Sequence, residues 1–140
     1  MLTYILYQSD RKPICTEAEI QKILASCKKN NSHKDITGML IYTNNKFMQM
    51  LEGDYNAITE LYNKIKQDQR HHHVVSISLG MLKKRNFPGW AMALKEVDKK
   101  HLTIISEMAQ EEKATFSDIM NEGAHAEASK ALAYFRKIVS

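Results

Sequence analysis

Residues 36–53 read ITGMLIYTNNKFMQMLEG. Ile36 to Thr43 is a β-branched and apolar run, Asn44-Asn45 is a tight turn, and Lys46 to Glu52 returns as a second strand, so the stretch is a β-hairpin. Along the second strand Met48 and Met50 alternate with Phe47, Gln49 and Leu51, and both faces are apolar apart from one carboxamide. A buried carboxamide without partners costs on the order of a few kcal/mol. Gln49 therefore either turns outward to solvent or meets a group that needs its hydrogen bonds.

The neighbouring segments fall into place around this hairpin. Before it, Leu2 to Ser9 is a strand apolar on both faces, and Asp10-Arg11-Lys12-Pro13 turns the chain. Thr16 to Glu19 carries a capping-box signature, and Ile20, Ile23, Leu24 and Cys27 repeat at helical spacing. Asn30 to Lys34 is expected to be a polar loop. After the hairpin, Gly53-Asp54 breaks the strand, with Asp54 as N-cap, and Ile58, Leu61, Tyr62 and Ile65 mark a second amphipathic helix. A loop through Arg70-His71-His72-His73 leads to a strand over Val74–Leu82, and Trp90–Val97 supplies a fifth. The order β-α-β-β-α-β-β predicts an α+β, ferredoxin-like βαββαββ sandwich with both helices on one face of the sheet. The other apolar face needs a cover. Residues 98–140 are expected to supply two C-terminal helices, packed across the sheet or shared with another subunit, so that residues 1–97 form one domain and 98–140 an extension.

Bulk properties narrow the function. The 140 residues are 44% hydrophobic and 26% charged, enough for one core without staples. No apolar run approaches the ~18 residues of a membrane span, and the N-terminus opens no signal peptide. Cys15 and Cys27 have neither framework nor metal spacing, which fits a reducing cytoplasm. The net charge is +4, but the basic clusters are short and scattered, which argues for solvated surface over nucleic-acid binding. His71-His72-His73 suggests a metal, yet consecutive residues of an extended chain point to opposite sides, so no metal site is expected.

Several of these residues together resemble the BLUF domain family, blue-light sensors that use flavin. The resemblance rests on Tyr7 in LTYILYQS, Asn30-Asn31, Ile36-Thr37-Gly38, Phe47 to Gly53, Asp68-Gln69-Arg70-His71, Arg85-Asn86-Phe87 and Trp90-Ala91-Met92, in order over about residues 1–97. It looks like a short stand-alone member with no enzymatic effector domain, hence a cytoplasmic sensor rather than an enzyme.

The resemblance implies a non-covalent flavin, FAD first with FMN or riboflavin as alternatives, held between the two helices. Tyr7 and Gln49 would be the photoactive pair: the phenol gives an electron and a proton, and the amide relays between its hydroxyl and the ring. Asn31 would hold the pyrimidine edge, Asn30 would flank the ring, Arg70 and His71 would lie beside it, and Ile23, Leu40 and Ile65 would sandwich it. Cys27 stands where the family often has serine. Trp90 and Met92 would carry the altered Gln49 hydrogen bond into the fifth strand, and the output would be a changed association with a partner protein, in a homo-oligomer. Taken singly, each residue has an ordinary reading: core for Tyr7, Ile23, Leu40, Ile65, Trp90 and Met92, a turn for Asn31, an ion pair with Asp68 for Arg70. Two other classes remain open, a phosphate-binding enzyme of acylphosphatase type and a flavin-free interaction module. The first expects a Gly-rich anion loop after the first strand, which Asp10-Arg11-Lys12-Pro13 lacks.

Overall fold

The computed structural model describes residues 1–68, 71–89, 92–110 and 129–139. Its elements run β1 (Leu2–Arg11), α1 (Glu17–Lys34), β2 (Thr37–Tyr42), β3 (Lys46–Asp54), α2 (Tyr55–Lys66), β4 (His71–Met81), β5 (Ala93–Glu96), α3 (Lys99–Gln110) and α4 (Lys130–Val139). The strands form one sheet in the order β4-β1-β3-β2-β5, antiparallel except for β5, which lies parallel to β2. This is the α+β, ferredoxin-like arrangement with β5 added at the edge.

The hairpin closes as its sequence implies, by a Thr43 N–H to Lys46 carbonyl bond of 2.9 Å. The Thr43 hydroxyl also accepts from the N–H groups of Asn45 and Lys46. Neither asparagine takes a positive φ, so this side-chain brace does the work that a primed turn would otherwise do. Gly38 on β2 is required by space: a Cβ there would lie 2.1 Å from the Met50 carbonyl oxygen and 3.2 Å from Cε of Met92.

Strand alternation divides the core in two. Ile5, Tyr7, Leu40, Phe47 and Leu51 pack with Ile20 of α1 and Ile58 and Tyr62 of α2. On the opposite face Tyr4, Leu6, Met39, Ile41, Met48 and Met50 pack with Leu102 and Ile105 of α3 and Ala131, Leu132 and Phe135 of α4. Helix α4 is held at both ends. Ser129 caps its start by accepting from Leu132 N–H at 3.0 Å, and the same hydroxyl joins a buried chain through Ser78 to Tyr4. At its far end Lys95 of β5 donates to the Ile138 carbonyl at 2.9 Å.

Strands β1 and β3 run on to Arg11 and Asp54, each two residues past its expected end, and three further stretches differ from the sequence reading. Asn30 to Lys34 is the last stretch of α1, not a loop. The helix continues through these weak helix formers because Asp35 adopts the left-handed conformation (φ 56°) and both Asp35 and Ile36 donate to the Asn31 carbonyl. The histidine run belongs to β4: His71 and His72 pair with Arg11 and Asp10 across a register shift, and His73 takes φ 53° with Nδ1 2.7 Å from Asp10 Oδ2. Pairing with β1 overrides the loop-like composition. Finally, β5 is four residues, Ala93–Glu96, shorter than the expected Trp90–Val97. Trp90 and Arg70 lie outside the described residues.

Candidate functional site

A cleft of about 180 Å³ opens between α1 and α2 above the sheet. Its walls repeat at helical spacing: Ile23, Ser26, Cys27, Asn30 and Asn31 from α1, with Leu61, Lys64, Ile65 and Asp68 from α2 and its C-terminal edge. Its floor is Tyr7, Gln49 and Leu51. A smaller recess that shares Tyr7, Ile23 and Gln49 with the cleft is also lined by Leu40 and Phe47. The structure thus brings Tyr7, Ile23, Asn30, Asn31, Leu40, Gln49 and Ile65 to one place. The backbone of His71 opens β4.

Tyr7 and Gln49 are direct partners across the β1–β3 ladder, and Gln49 faces Leu40 across β2–β3. Both polar side chains are buried, 2% and 3% exposed, yet neither lacks a bond. The Tyr7 hydroxyl donates to Gln49 Oε1, and Gln49 Nε2 donates to the Met92 sulfur at 3.2 Å. Met92 is itself buried just before β5, so the amide joins a strand at the centre of the sheet to the segment that enters its edge strand. Burial pushes the Tyr7 phenol well above its ordinary value, with Cys27, Tyr62 and Asp68 adding to the effect. At neutral pH Tyr7 is therefore a protonated donor. Its ring lies 5.6 Å from that of Tyr62.

Sequence reasoning missed Ser26, Leu61, Lys64 and Asp68 as cleft-lining positions. The signal was present: 23, 26, 27, 30 and 31, and 61, 64, 65 and 68, are single helical stripes. Ending the first helix before Asn30 cut the first stripe short.

The donor set suits a flavin ring. Apolar side chains from two helices wall a slot, while a phenol and a carboxamide at its floor and the buried Asn31 carboxamide at its side offer both donors and acceptors to a ring edge that presents both. Fold and site together define a ligand-binding domain built on a ferredoxin-like sheet. Residues 2–93 match the family model described as BLUF, sensors of blue-light using FAD, and the chain belongs to that family, whose cofactor is a flavin.

Relatives agree. The chain is 34% identical over 92 residues to the photoactivated adenylate cyclase subunit beta of Euglena longa, a match covering 65% of this chain and 11% of that protein. It is 30% identical over 97 residues to the blue light- and temperature-regulated antirepressor BluF of Escherichia coli (strain K12), covering 67% and 23%. The chain thus spans a small part of the length of these curated relatives. Among solved structures, a bacterial light-regulated adenylyl cyclase superposes with TM-score 0.71 at 28% identity, covering 89% of this chain and 40% of that one. The dark-state BLUF protein BlrB has the same fold, with TM-score 0.69 at 23% identity over 99% and 94%.

Proposed function

We propose that the chain is a blue-light photoreceptor whose response is a rearrangement of the Tyr7–Gln49–Met92 hydrogen-bond chain, passed to a protein partner. The observation that carries this reading is the position of the Gln49 amide. It lines the cleft, accepts from the Tyr7 hydroxyl and donates to Met92, so one side chain touches the ligand space, the phenol and the approach to β5 at once.

A bound flavin supplies light absorption and one-electron oxidising power. Tyr7, held protonated by burial, is the donor of electron and proton. Gln49 is the relay, and reversal of its hydrogen-bonding sense, by rotation of the amide or by tautomerisation, exchanges donor and acceptor between the end at Tyr7 and the end at Met92. Such an exchange breaks the bond to the Met92 sulfur and biases the chain entering β5, a two-state change of the kind a small differential interaction can shift. Asn31 and Asn30 would hold the ring edge and Ile23, Leu40 and Ile65 would pack on it, while the roles of Arg70, His71 and Trp90 rest on the family resemblance alone. Residues 1–97 are the sensory domain, and 98–140 are an extension that packs on the sheet or at a homo-oligomer interface and carries the output. The chain performs no catalysis of its own, and its setting is cytoplasmic. Among the described residues, no helix is long and apolar enough to cross a membrane.

The test is an absorption spectrum of the purified yellow protein before and after blue light, repeated with Tyr7→Phe and Gln49→Leu. A small reversible red shift in the parent, absent from both variants while flavin stays bound, is expected. A colourless protein, or a visible band unmoved by light, would overturn the reading.

A further inference from the structure

Beside Tyr7 the pairing of β4 with β1 slips. Leu6 pairs with Ser78 and Tyr7 with Ser76, and Ile77 is the extra residue of a β-bulge between them. In an unbroken strand residues 76 and 78 share a face. Here they do not. Ser78 bonds to Tyr4 at 2.6 Å and to Ser129 on the side covered by α3 and α4, where Ile77 also packs. Ser76 is turned to the side of the cleft, level with Tyr7, and is hydrogen-bonded to the hydroxyl of Tyr62 on α2. Tyr62 is buried, and its ring stands 5.6 Å from the Tyr7 ring at 55°. The Lys66 ammonium lies 4.9 Å from the centroid of the Tyr62 ring. Tyr7 thus has Gln49 on one flank and Ser76 on the other, with the Tyr62 ring against its own.

We propose that Tyr62 and Ser76 are positioning residues for Tyr7: the bulge at Ile77 turns Ser76 into place, Ser76 fixes Tyr62, and the Tyr62 ring holds the Tyr7 phenol aimed at Gln49. The inference deepens the photoreceptor reading and rests on it for its consequence. A phenol without such a neighbour samples other side-chain rotamers, and each of them carries its hydroxyl off the line to the amide carbonyl. Release of a proton from Tyr7 toward Gln49 depends on that line being held. Neither Tyr62 nor Ser76 lines the cleft, so both act through Tyr7.

The bland alternative has two parts. Bulges protect edge strands from pairing with other chains, and β4 is an edge strand. Tyr62 is then a core tyrosine whose hydroxyl has found a partner. Edge protection is already served by the second register shift, opposite Gln8 to Asp10. A core tyrosine accounts for a satisfied hydroxyl. Neither part accounts for the bulge and the Tyr62 bond meeting at Ser76, the cross-strand partner of Tyr7 itself.

The experiment compares the flavin-loaded parent with Ser76→Ala, Tyr62→Phe, the two combined, and Ser76→Thr. Ser76 is exposed and phenylalanine keeps the Tyr62 ring, so denaturation midpoints are expected to stay close to the parent's. The yield of the red-shifted state per absorbed photon should fall by about two- to tenfold in each single variant, the factor one hydrogen bond is worth. The double variant should fall no further, since both changes remove the same bond. Ser76→Thr keeps the hydroxyl and should keep the yield. In the dark, flips of the Tyr7 ring, followed by NMR of ring-labelled tyrosine, should quicken in the same variants that lose yield. A parental yield in Ser76→Ala or Tyr62→Phe, or a Ser76→Thr that behaves like Ser76→Ala, overturns the positioning role and leaves the photoreceptor reading intact. A parent with no light-driven shift overturns the photoreceptor reading. The flip rates then decide the hold on Tyr7 alone: quickened flips support it and unchanged flips overturn it.

Discussion

The Tyr7 hydroxyl donates to the side-chain carbonyl of Gln49 from the strand position directly opposite, so two cross-strand neighbours satisfy each other inside the apolar core. Because the same amide spends its nitrogen on Met92, each partner can be removed separately. Tyr7→Phe leaves the ring in place and the Gln49 carbonyl without its donor. A loss of about 1 kcal/mol is expected in a urea titration. Thermal and chemical stability should thus survive while the light-induced shift disappears.

Met92→Leu removes the sulfur acceptor and keeps the volume. The Gln49 amide then loses the bond to Met92 and is freer to turn. The expected result is a retained spectral shift with an altered rate of return to the dark state, followed by absorbance after a light pulse. An unchanged return rate would mean that the Met92 contact has no hold on the amide.

Gly38→Ala should be among the most damaging small substitutions. The added methyl would overlap the Met50 carbonyl, a backbone atom that moves only by parting β2 from β3. About 3 kcal/mol or more of lost stability is expected, read from the denaturation midpoint. Gly89→Ala meets no atom within 4 Å, though its φ of 82° adds a backbone cost. It should cost distinctly less than Gly38→Ala.

Glu52 is fully buried at the end of β3, where its carboxylate accepts from the Thr37 hydroxyl at 2.9 Å and from the backbone N–H groups of Asn86 and Phe87 at 2.8 and 2.6 Å. Arg85 braces the same corner through Thr37 and the Glu52 carbonyl. Glu52→Gln replaces one acceptor oxygen by a donor that faces other donors. A cost of about 2–3 kcal/mol is expected. Hydrogen exchange should quicken first at Asn86 and Phe87.

Stability should fall in alkali. Burial raises the Tyr7 phenol, and the phenols of Tyr42 and Tyr62 are raised chiefly by the same cause. A group raised in the folded state contributes stability that is full below its unfolded value, near 10 for tyrosine, and is lost as pH rises toward the folded value. Denaturation midpoints should therefore decline above about pH 10. Tyr7→Phe should decline less steeply than the parent, and equal slopes would place the effect elsewhere.

Much of this was legible because apolar alternation and helical spacing are strong signals. The hairpin around Asn44-Asn45, the caps at Thr16 and Asp54, and the two-faced strands all follow from residue types, and the family resemblance added a flavin as cofactor. What escaped was set by pairing across the fold. The helical fate of Asn30 to Lys34 depends on a left-handed Asp35, and the strand fate of His71 and His72 on β1. Lys34 and Lys64 were not recognised as lining one space, since Lys34 was read in a loop and Lys64 was not singled out. Only when two helices are set side by side do they share a space.

Helix α4 reaches from Ser78 on one margin of the sheet to Lys95 on the other. Any change in the propeller-like coil of the strands alters the span between those two moorings. A rigid rod tied at both margins cannot absorb that difference along its length, so the strain collects at its ends. Whatever tilts β5 therefore tugs on the tail directly, with no loop between them to take up slack.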